Sequence, residues 1–282
     1  MSIDTGTLKD LLGIAQQAAA AGAAVLAGRD DVSAAGLPLD SAGHGIETKS
    51  SESDFVSEFD RRAEEAVRGV ISKHRPQDEI TGEEYGTTTV AEPTGYRWSI
   101  DPLDGTTNFL RGIIYYGTSV GVQAPDGEWI VGVVNAPALQ RSWWAARGLG
   151  AYMARGQSAT VPLRGPSGQL GSGLLATGFG YDPQRRAQQV DSIATLNEHF
   201  GNLRRLGAAA LDMCMVADGT MDAYAEYGIQ EHDWAAAALI AEEAGVEVYR
   251  PSAADGEAEP DWCVIGSLGF DPARLNPRPS WS

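Results

Sequence analysis

Trp98-Ser99-Ile100-Asp101-Pro102-Leu103-Asp104-Gly105-Thr106-Thr107-Asn108-Phe109 opens as a strand and then changes character. Trp98, Ser99 and Ile100 suit a buried β-segment. Asp101 and Asp104 stand three residues apart with Pro102 between them, so they cannot be an ion-pairing face of a helix interior. They are expected at a turn leaving the strand, where both carboxylates converge on one point. Gly105 and Thr106 then offer backbone N–H groups, the way a strand-to-helix turn holds an anion. A plain turn with Asx capping reads the same residues without chemistry.

Upstream, an Ala-rich helix is expected over about Thr7 to Ala27, then a Gly/Ser/Pro-containing connection from Asp30 to Gly45. Val56, Phe59, Ala63, Ala66, Val67 and Val70 recur at helical spacing, which predicts a second helix over Ser57 to His74, ended by Pro76. Downstream, Thr118–Gln123, Trp129–Asn135 and Ser142–Ala145 read as strands, and one more turn and strand fall within Gly148–Gly156. Ala124-Pro125-Asp126-Gly127-Glu128 is a turn, so this half reads as an antiparallel meander.

Beyond about Val161 strands and helices alternate. Strands are expected at Leu174–Thr177, Leu203–Leu206, Met221–Ala225, Val246–Tyr249 and Trp262–Ile265. Helices are expected at Asp182–Phe200, Ala208–Ala217 and Asp233–Ala244, with Asp182 and Gly245 as caps. That alternation is α/β with substantially parallel pairing. Pro251–Pro260 reads as a surface loop, and the tail from Asn276 to Ser282 as loose. No flexible linker or internal repeat divides the chain. One catalytic unit over residues 1–282 is therefore expected, with lobes 1–150 and 151–282.

The 282 residues include 21 Lys and Arg against 38 Asp and Glu, a net charge of −17. A general nucleic-acid or anionic-membrane binder needs a basic face, so both classes are disfavoured. Carboxylates can still bind an anionic small molecule if metal ions invert the local charge. Hydrophobic residues make up 43% and charged residues 21%, ordinary globular usage. Cys214 and Cys263 lack metal-site spacing and read as reduced thiols. The apolar segment Leu11–Gly28 is broken by Gln16 and Gln17 and follows no basic region, so neither a signal peptide nor a membrane span is expected, and the compartment reads as cytoplasmic.

Two further acidic stretches accompany the central one. Gly82-Glu83-Glu84 follows the strand-like Asp78–Thr81, and Glu231-His232-Asp233-Trp234-Ala235-Ala236-Ala237-Ala238 opens a helix, where Asp233 also suits an N-cap. With Asp101–Phe109 between them, and Asp54 to Asp60 ahead, they resemble the signatures of the inositol monophosphatase family in the same order. The resemblance runs from about Leu8 to Gly266. Gly178-Phe179-Gly180, Arg204 to Cys214 and Asp222-Ala223-Tyr224 look most like its bacterial SuhB-type branch.

The resemblance implies an α/β fold, a layered α-β-α-β-α sandwich with an antiparallel sheet first and a mixed or parallel sheet second. It implies Mg²⁺-dependent hydrolysis of a phosphate monoester, with inositol 1-phosphate the leading substrate, and a homodimer. Glu83, Asp101 and the Leu103 carbonyl would hold one Mg²⁺, and Asp101, Asp104 and Asp233 a second. A third, weaker ion would sit near Glu83 through waters. Thr106, paired with Glu83, would orient and help deprotonate the attacking water, while the Gly105 and Thr106 amides hold the phosphate. Asp104 and Asp233 would also face substrate, Glu226 would bond a ring hydroxyl, and Ala209 would line that pocket. Lys49, Asp60 and Glu84 would support these from behind.

The donor chemistry agrees with this picture. All these ligands are oxygens, which select Mg²⁺, Mn²⁺ or Ca²⁺ over Zn²⁺. A phosphate dianion beside so many carboxylates is repelled unless cations intervene, and a two-metal displacement suits so slow a reaction.

The chain departs from the family motif where His232 stands for the usual Trp, with Trp234 following, and where Ala237 replaces the closing Gly. A packing or surface histidine and a proton donor near the leaving group are both open readings of His232. Within the resemblance Thr107 is similar to the inositol-phosphate branch, and Glu226, a good acceptor for ring hydroxyls, supports a polyol. Asn135 to Gly150 instead resembles actinobacterial histidinol-phosphatases, with Trp143 and Trp144 expected on opposite faces of a strand. A regulator that binds the transcription machinery, as some SuhB-type proteins do, is the non-enzyme alternative. Arg61-Arg62, Arg185-Arg186 and Arg204-Arg205 are its candidate contacts, or plain solvated helix faces.

Overall fold

The computed structural model describes residues 3–29, 39, 47–48, 55–168, 173–251 and 261–280. Lys49, Asp54 and most of the expected 30–45 connection and 251–260 loop lie outside the described residues. Helix α1 (Thr5–Ala27) is capped by Asp4, whose Oδ1 accepts from the Gly6 and Thr7 amides. It is long and apolar enough to cross a membrane by length and composition alone. In the fold its Leu8, Leu11, Ala15, Ala18 and Ala19 face is buried on a sheet.

A two-stranded pair, β1 (Glu47–Thr48) and β2 (Phe55–Val56), precedes α2 (Glu58–His74). The first large sheet follows: β3 (Glu79–Gly82), β4 (Gly86–Thr88) and β5 (Arg97–Asp104), then α3 (Thr106–Arg111), then β6 (Gly117–Gln123), β7 (Trp129–Ala136), β8 (Arg141–Ala146), β9 (Gly150–Arg155) and β10 (Val161–Pro162). Its order is β10-β9-β8-β7-β6-β5-β3-β4, antiparallel throughout except for parallel β3 and β5. The expected meander is its β5-to-β9 run.

The second half supplies β11 (Leu174–Thr177), α4 (Pro183–His199), β12 (Asn202–Arg204), α5 (Ala209–Ala217), β13 (Ala223–Tyr227), α6 (Glu231–Glu243), β14 (Val248–Tyr249) and β15 (Trp262–Ile265). Its sheet runs β12-β11-β13-β15-β14. β11 is parallel to β12 and β13, but β15 is antiparallel to both β13 and β14, so the sheet is mixed. Alternation with helices predicts parallel strands only where a helix makes the crossover. From β14 to β15 no helix intervenes among the described residues, and the chain returns antiparallel.

Period-two alternation assigns the layers. In β8, Trp143 and Ala145 enter the core between the sheets, while Trp144 and Ala146 face α1, which places the two tryptophans on opposite faces as expected. In β13 and β15, Tyr224, Cys263 and Ile265 face that same central core, and Ala223, Ala225, Trp262 and Val264 face α4. The order is therefore α1 and α2, first sheet, α5 and α6, second sheet, α4. Helix α6 comes from the C-terminal half but lies on the first sheet. Ala235 to Ala241 are fully buried, and a Cβ on Gly132 would stand 2.4 Å from the Ala236 carbonyl oxygen. Helix and sheet backbones touch there because the strand has no side chain. Of the tail expected to be loose, residues 276–280 are described and tied down: the Trp262 indole donates to the Pro277 carbonyl, and the Ser280 amide donates to Asp261.

Candidate active site

β5 does not end at Ile100 but pairs with β6 again at Asp104–Gly117, after a register shift between Asp101 and Asp104. That irregularity matters, because residues three apart in a regular strand point to opposite faces. The shift turns Asp101 and Asp104 into one cleft of about 540 Å³. Gly105 then takes φ 94°, where a Cβ would stand 2.9 Å from the Tyr115 carbonyl oxygen. The chain enters α3 only because that residue is glycine.

Glu83, Asp101, Leu103, Asp104, Gly105, Thr106, Ala209, Glu226 and Asp233 all line this cleft. Glu83 leaves β3 with its amide on the Ile100 carbonyl, one step beyond the parallel ladder. Asp101 Oδ1 accepts from the Leu103 amide at 2.9 Å. Asp104 receives the Ala209 amide on Oδ1 at 3.0 Å and the Ala210 amide on Oδ2 at 2.8 Å, so it caps α5. Asp233 sits in the first turn of α6, and its Oδ2 accepts from the Gln230 amide at 2.6 Å. Gln230 is the N-cap of α6 where the sequence suggests Asp233; Asp233 is the N3 residue of the capping box, and that role coexists with its place in the cleft because a carboxylate offers more than one lone pair.

Electrostatics set this cleft apart. Burial, followed by the charges of Glu83, Asp104 and Asp233, holds the Asp101 carboxyl well above the usual range. Burial and the Asp233 charge push Asp104 up as well, against the lowering hydrogen bonds from α5. Such a cluster is costly when charged and is relieved by a divalent cation. The donor set, carboxylates with the Leu103 carbonyl beside them, fits a hard cation bound through oxygen.

Behind the wall, Thr106 Oγ1 lies 3.1 Å from both Asp60 Oδ1 and the Leu103 carbonyl. Its hydroxyl thus reaches Asp60, while the family resemblance implies a pairing with Glu83. Asp60 is buried and takes the Ser57 amide and hydroxyl on Oδ2. Neither Asp60 nor Glu84 lines the cleft.

Glu64, which lies outside the sequence motifs, organises the Glu83 turn. It is fully buried, accepts from the Glu84 amide at 2.7 Å and the Tyr85 amide at 3.2 Å, and pairs with Arg68 at 2.7 Å. A Cβ on Gly82 would collide with it. The available signal was its place on the apolar face of α2, one turn after Asp60.

On the opposite wall Glu226 lies over Gly178, where a Cβ would stand 1.9 Å from Oε2. The Tyr224 hydroxyl donates to Glu226 at 2.9 Å. Burial nevertheless lifts the carboxyl to about 7. Arg185 and Arg205, noted in the sequence only as members of arginine pairs, line the cleft too. His232 lines it, whereas Trp234 turns into the core edge-on to Trp129, ring centroids 5.8 Å apart.

This arrangement has relatives. Residues 8–272 match the model of the inositol monophosphatase family. Inositol-1-monophosphatase SuhB of Mycobacterium tuberculosis is 38% identical over 244 residues, 84% of this chain and 83% of that protein. A histidinol-phosphatase of Streptomyces coelicolor is 38% identical over 206 residues, 71% of this chain and 74% of that protein. The solved structure of Mycobacterium tuberculosis SuhB superposes with a TM-score of 0.71 at 34% identity, covering 91% of this chain and 90% of that one. The chain belongs to the inositol monophosphatase family and is a phosphatase.

Proposed function

We infer that the chain hydrolyses small phosphate monoesters with Mg²⁺, and inositol 1-phosphate before others. One observation carries this reading: Glu83, Asp101, Asp104, Thr106 and Asp233 meet in one cleft whose far wall holds the carboxyl of Glu226. Glu83, Asp101, the Leu103 carbonyl, Asp104 and Asp233 would hold the cation. When bound, it supplies Lewis acidity, lowering the pKa of its water and offsetting the phosphate charge.

The remaining steps belong to the chain. Thr106 Oγ1 donates to Asp60 Oδ1, so its lone pairs are left to accept a proton from the attacking water. Asp60 Oδ2 is committed to Ser57, which keeps Oδ1 aimed at Thr106. Proton drift along water, Thr106 and Asp60 raises the nucleophilicity of the water. The Gly105 and Thr106 amides face the phosphate oxygens. Glu226 accepts a hydroxyl of the polyol and orients its ring.

Arg185 and Arg205 favour a neutral or anionic alcohol over the ammonium that histidinol phosphate carries. Cys214 and Cys263 are free and buried, which supports a cytoplasmic setting.

The test is phosphate release, with and without Mg²⁺, from inositol 1-phosphate, histidinol phosphate, fructose 1,6-bisphosphate and adenosine 3′,5′-bisphosphate. Mg²⁺-dependent release, fastest from inositol 1-phosphate, is expected. Faster release from histidinol phosphate would overturn the substrate and leave the cleft chemistry standing. Release unaffected by Mg²⁺ would overturn the cation assignment.

A further inference from the structure

Three groups from three elements meet beside Asp104. Glu83 follows β3, Asp101 stands in β5, and His232 lies in the first turn of α6. One carboxylate oxygen from each acid and one ring nitrogen of His232 lie within 4.8 Å of one another. Donor atoms roughly 2.0–2.2 Å from one ion stand about 3–4.4 Å apart, so this trio closes on a single ion by small side-chain rotations.

The imidazole is available for that role. Its Nε2 stands 3.8 Å from Asp233 Oδ1, too far for a hydrogen bond. Its side chain keeps 20% of its exposure and lines the cleft, so it is not a core histidine. Residues 232 and 234 are about 200° apart around a helix, which is why Trp234 reaches the central core while His232 faces the acids. An indole at position 232 has no lone pair to offer a cation, and an imidazole has one.

We propose that His232 ligates the cation held by Glu83 and Asp101, turning an all-oxygen site into one that favours borderline cations such as Co²⁺ and Zn²⁺ over Mg²⁺. Imidazole nitrogen strengthens binding of these ions far more than that of Mg²⁺, which prefers oxygen. The proposal rests on the carboxylate cluster being the cation site, and Asp101→Asn separates the two ideas.

The test uses the full chain stripped of metal, with Mn²⁺ and Zn²⁺ as probes. Pulsed EPR of bound Mn²⁺ is expected to show coupling to a directly bonded ¹⁴N, and His232→Gln should abolish it. Zn²⁺ affinity should fall about tenfold or more in His232→Gln, and likewise in His232→Trp should the Gln variant fold poorly. Mg²⁺ affinity should change by less than about threefold. Wild-type Mn²⁺ without ¹⁴N coupling, or unchanged Zn²⁺ affinity in both variants, would sink the proposal. If Asp101→Asn still abolishes binding in that case, the carboxylate site survives without His232. If Asp101→Asn binds Mn²⁺ as the wild type does, the cation site itself is misplaced.

Discussion

Asp101 shows what single residues contribute here. It is buried, three other acids raise its carboxyl well above the usual range, and it stands at the centre of the cluster. Asp101→Asn keeps the acceptor for the Leu103 amide but removes the charge. Turnover should fall by about 10³-fold or more, while the metal-free melting temperature stays level or rises, because repulsion is relieved. Steady-state kinetics beside a melting curve check both halves.

Glu226 makes a separate prediction. Its carboxyl lies at about 7 against an ordinary 4.5, with burial as the first cause. A raised folded-state pKa means the native chain holds the proton more tightly than the unfolded chain between those two values. Stability therefore falls as pH rises through that window and levels off above it, by about 3 kcal/mol in all. Glu226→Gln removes the dependence. Its stability relative to the wild type should improve by roughly 2–3 kcal/mol from pH 5 to pH 8. Denaturant titrations at the two pH values would expose an error if the gap stayed constant.

At the scale of elements, the site depends on how closely α6 lies on the first sheet. Gly132→Val puts a branched side chain where the Ala236 carbonyl now rests. It should cost about 2–3 kcal/mol and lower activity too, because α6 carries Asp233. Chemical denaturation together with kcat tests that link. Glu64→Gln should also act at a distance. Gln presents one acceptor where Glu64 serves two amides and Arg68, so roughly 3 kcal/mol is lost and Glu83 drifts. A variant with wild-type kcat would remove Glu64 from the architecture of the site.

These two elements also mark the limits of sequence reading. The Asp101–Phe109 run is legible because Pro, Gly and paired acids have few other uses in combination. Glu64 is marked only by its place on the apolar face of α2, since a charged residue on an amphipathic helix looks solvated until a partner strand arrives. The bulge at Asp101–Asp104 depends on where β6 resumes pairing, which is a property of two strands. The mixed second sheet is reached through the family resemblance and not through the alternation of strands and helices, for the direction of β15 follows from the crossover and not from its own residues.

For the whole molecule, the decisive quantity is charge held in the wrong place. The chain carries a net −17, and within it Asp101 and Asp104 are buried against each other and Asp233. Surface charges interact through water and are screened within about 10 Å at 0.1 M salt. Buried ones are screened far less. A divalent cation in the cleft would tie together Glu83 after β3, Asp101 and Asp104 in β5, and Asp233 in α6, joining segments about 150 residues apart. Binding to the folded state alone, at a hundred times its dissociation constant, stabilises by about 2.7 kcal/mol, or roughly 5–10 °C for a chain of this size. Melting curves should therefore shift upward with Mg²⁺ and return on chelation, while NaCl at matched ionic strength gives little. The Asp101→Asn chain should show almost none of that shift. An equal rise with NaCl would place the relieved repulsion on the surface, and the buried cluster would then not be the point at which the molecule takes its cation.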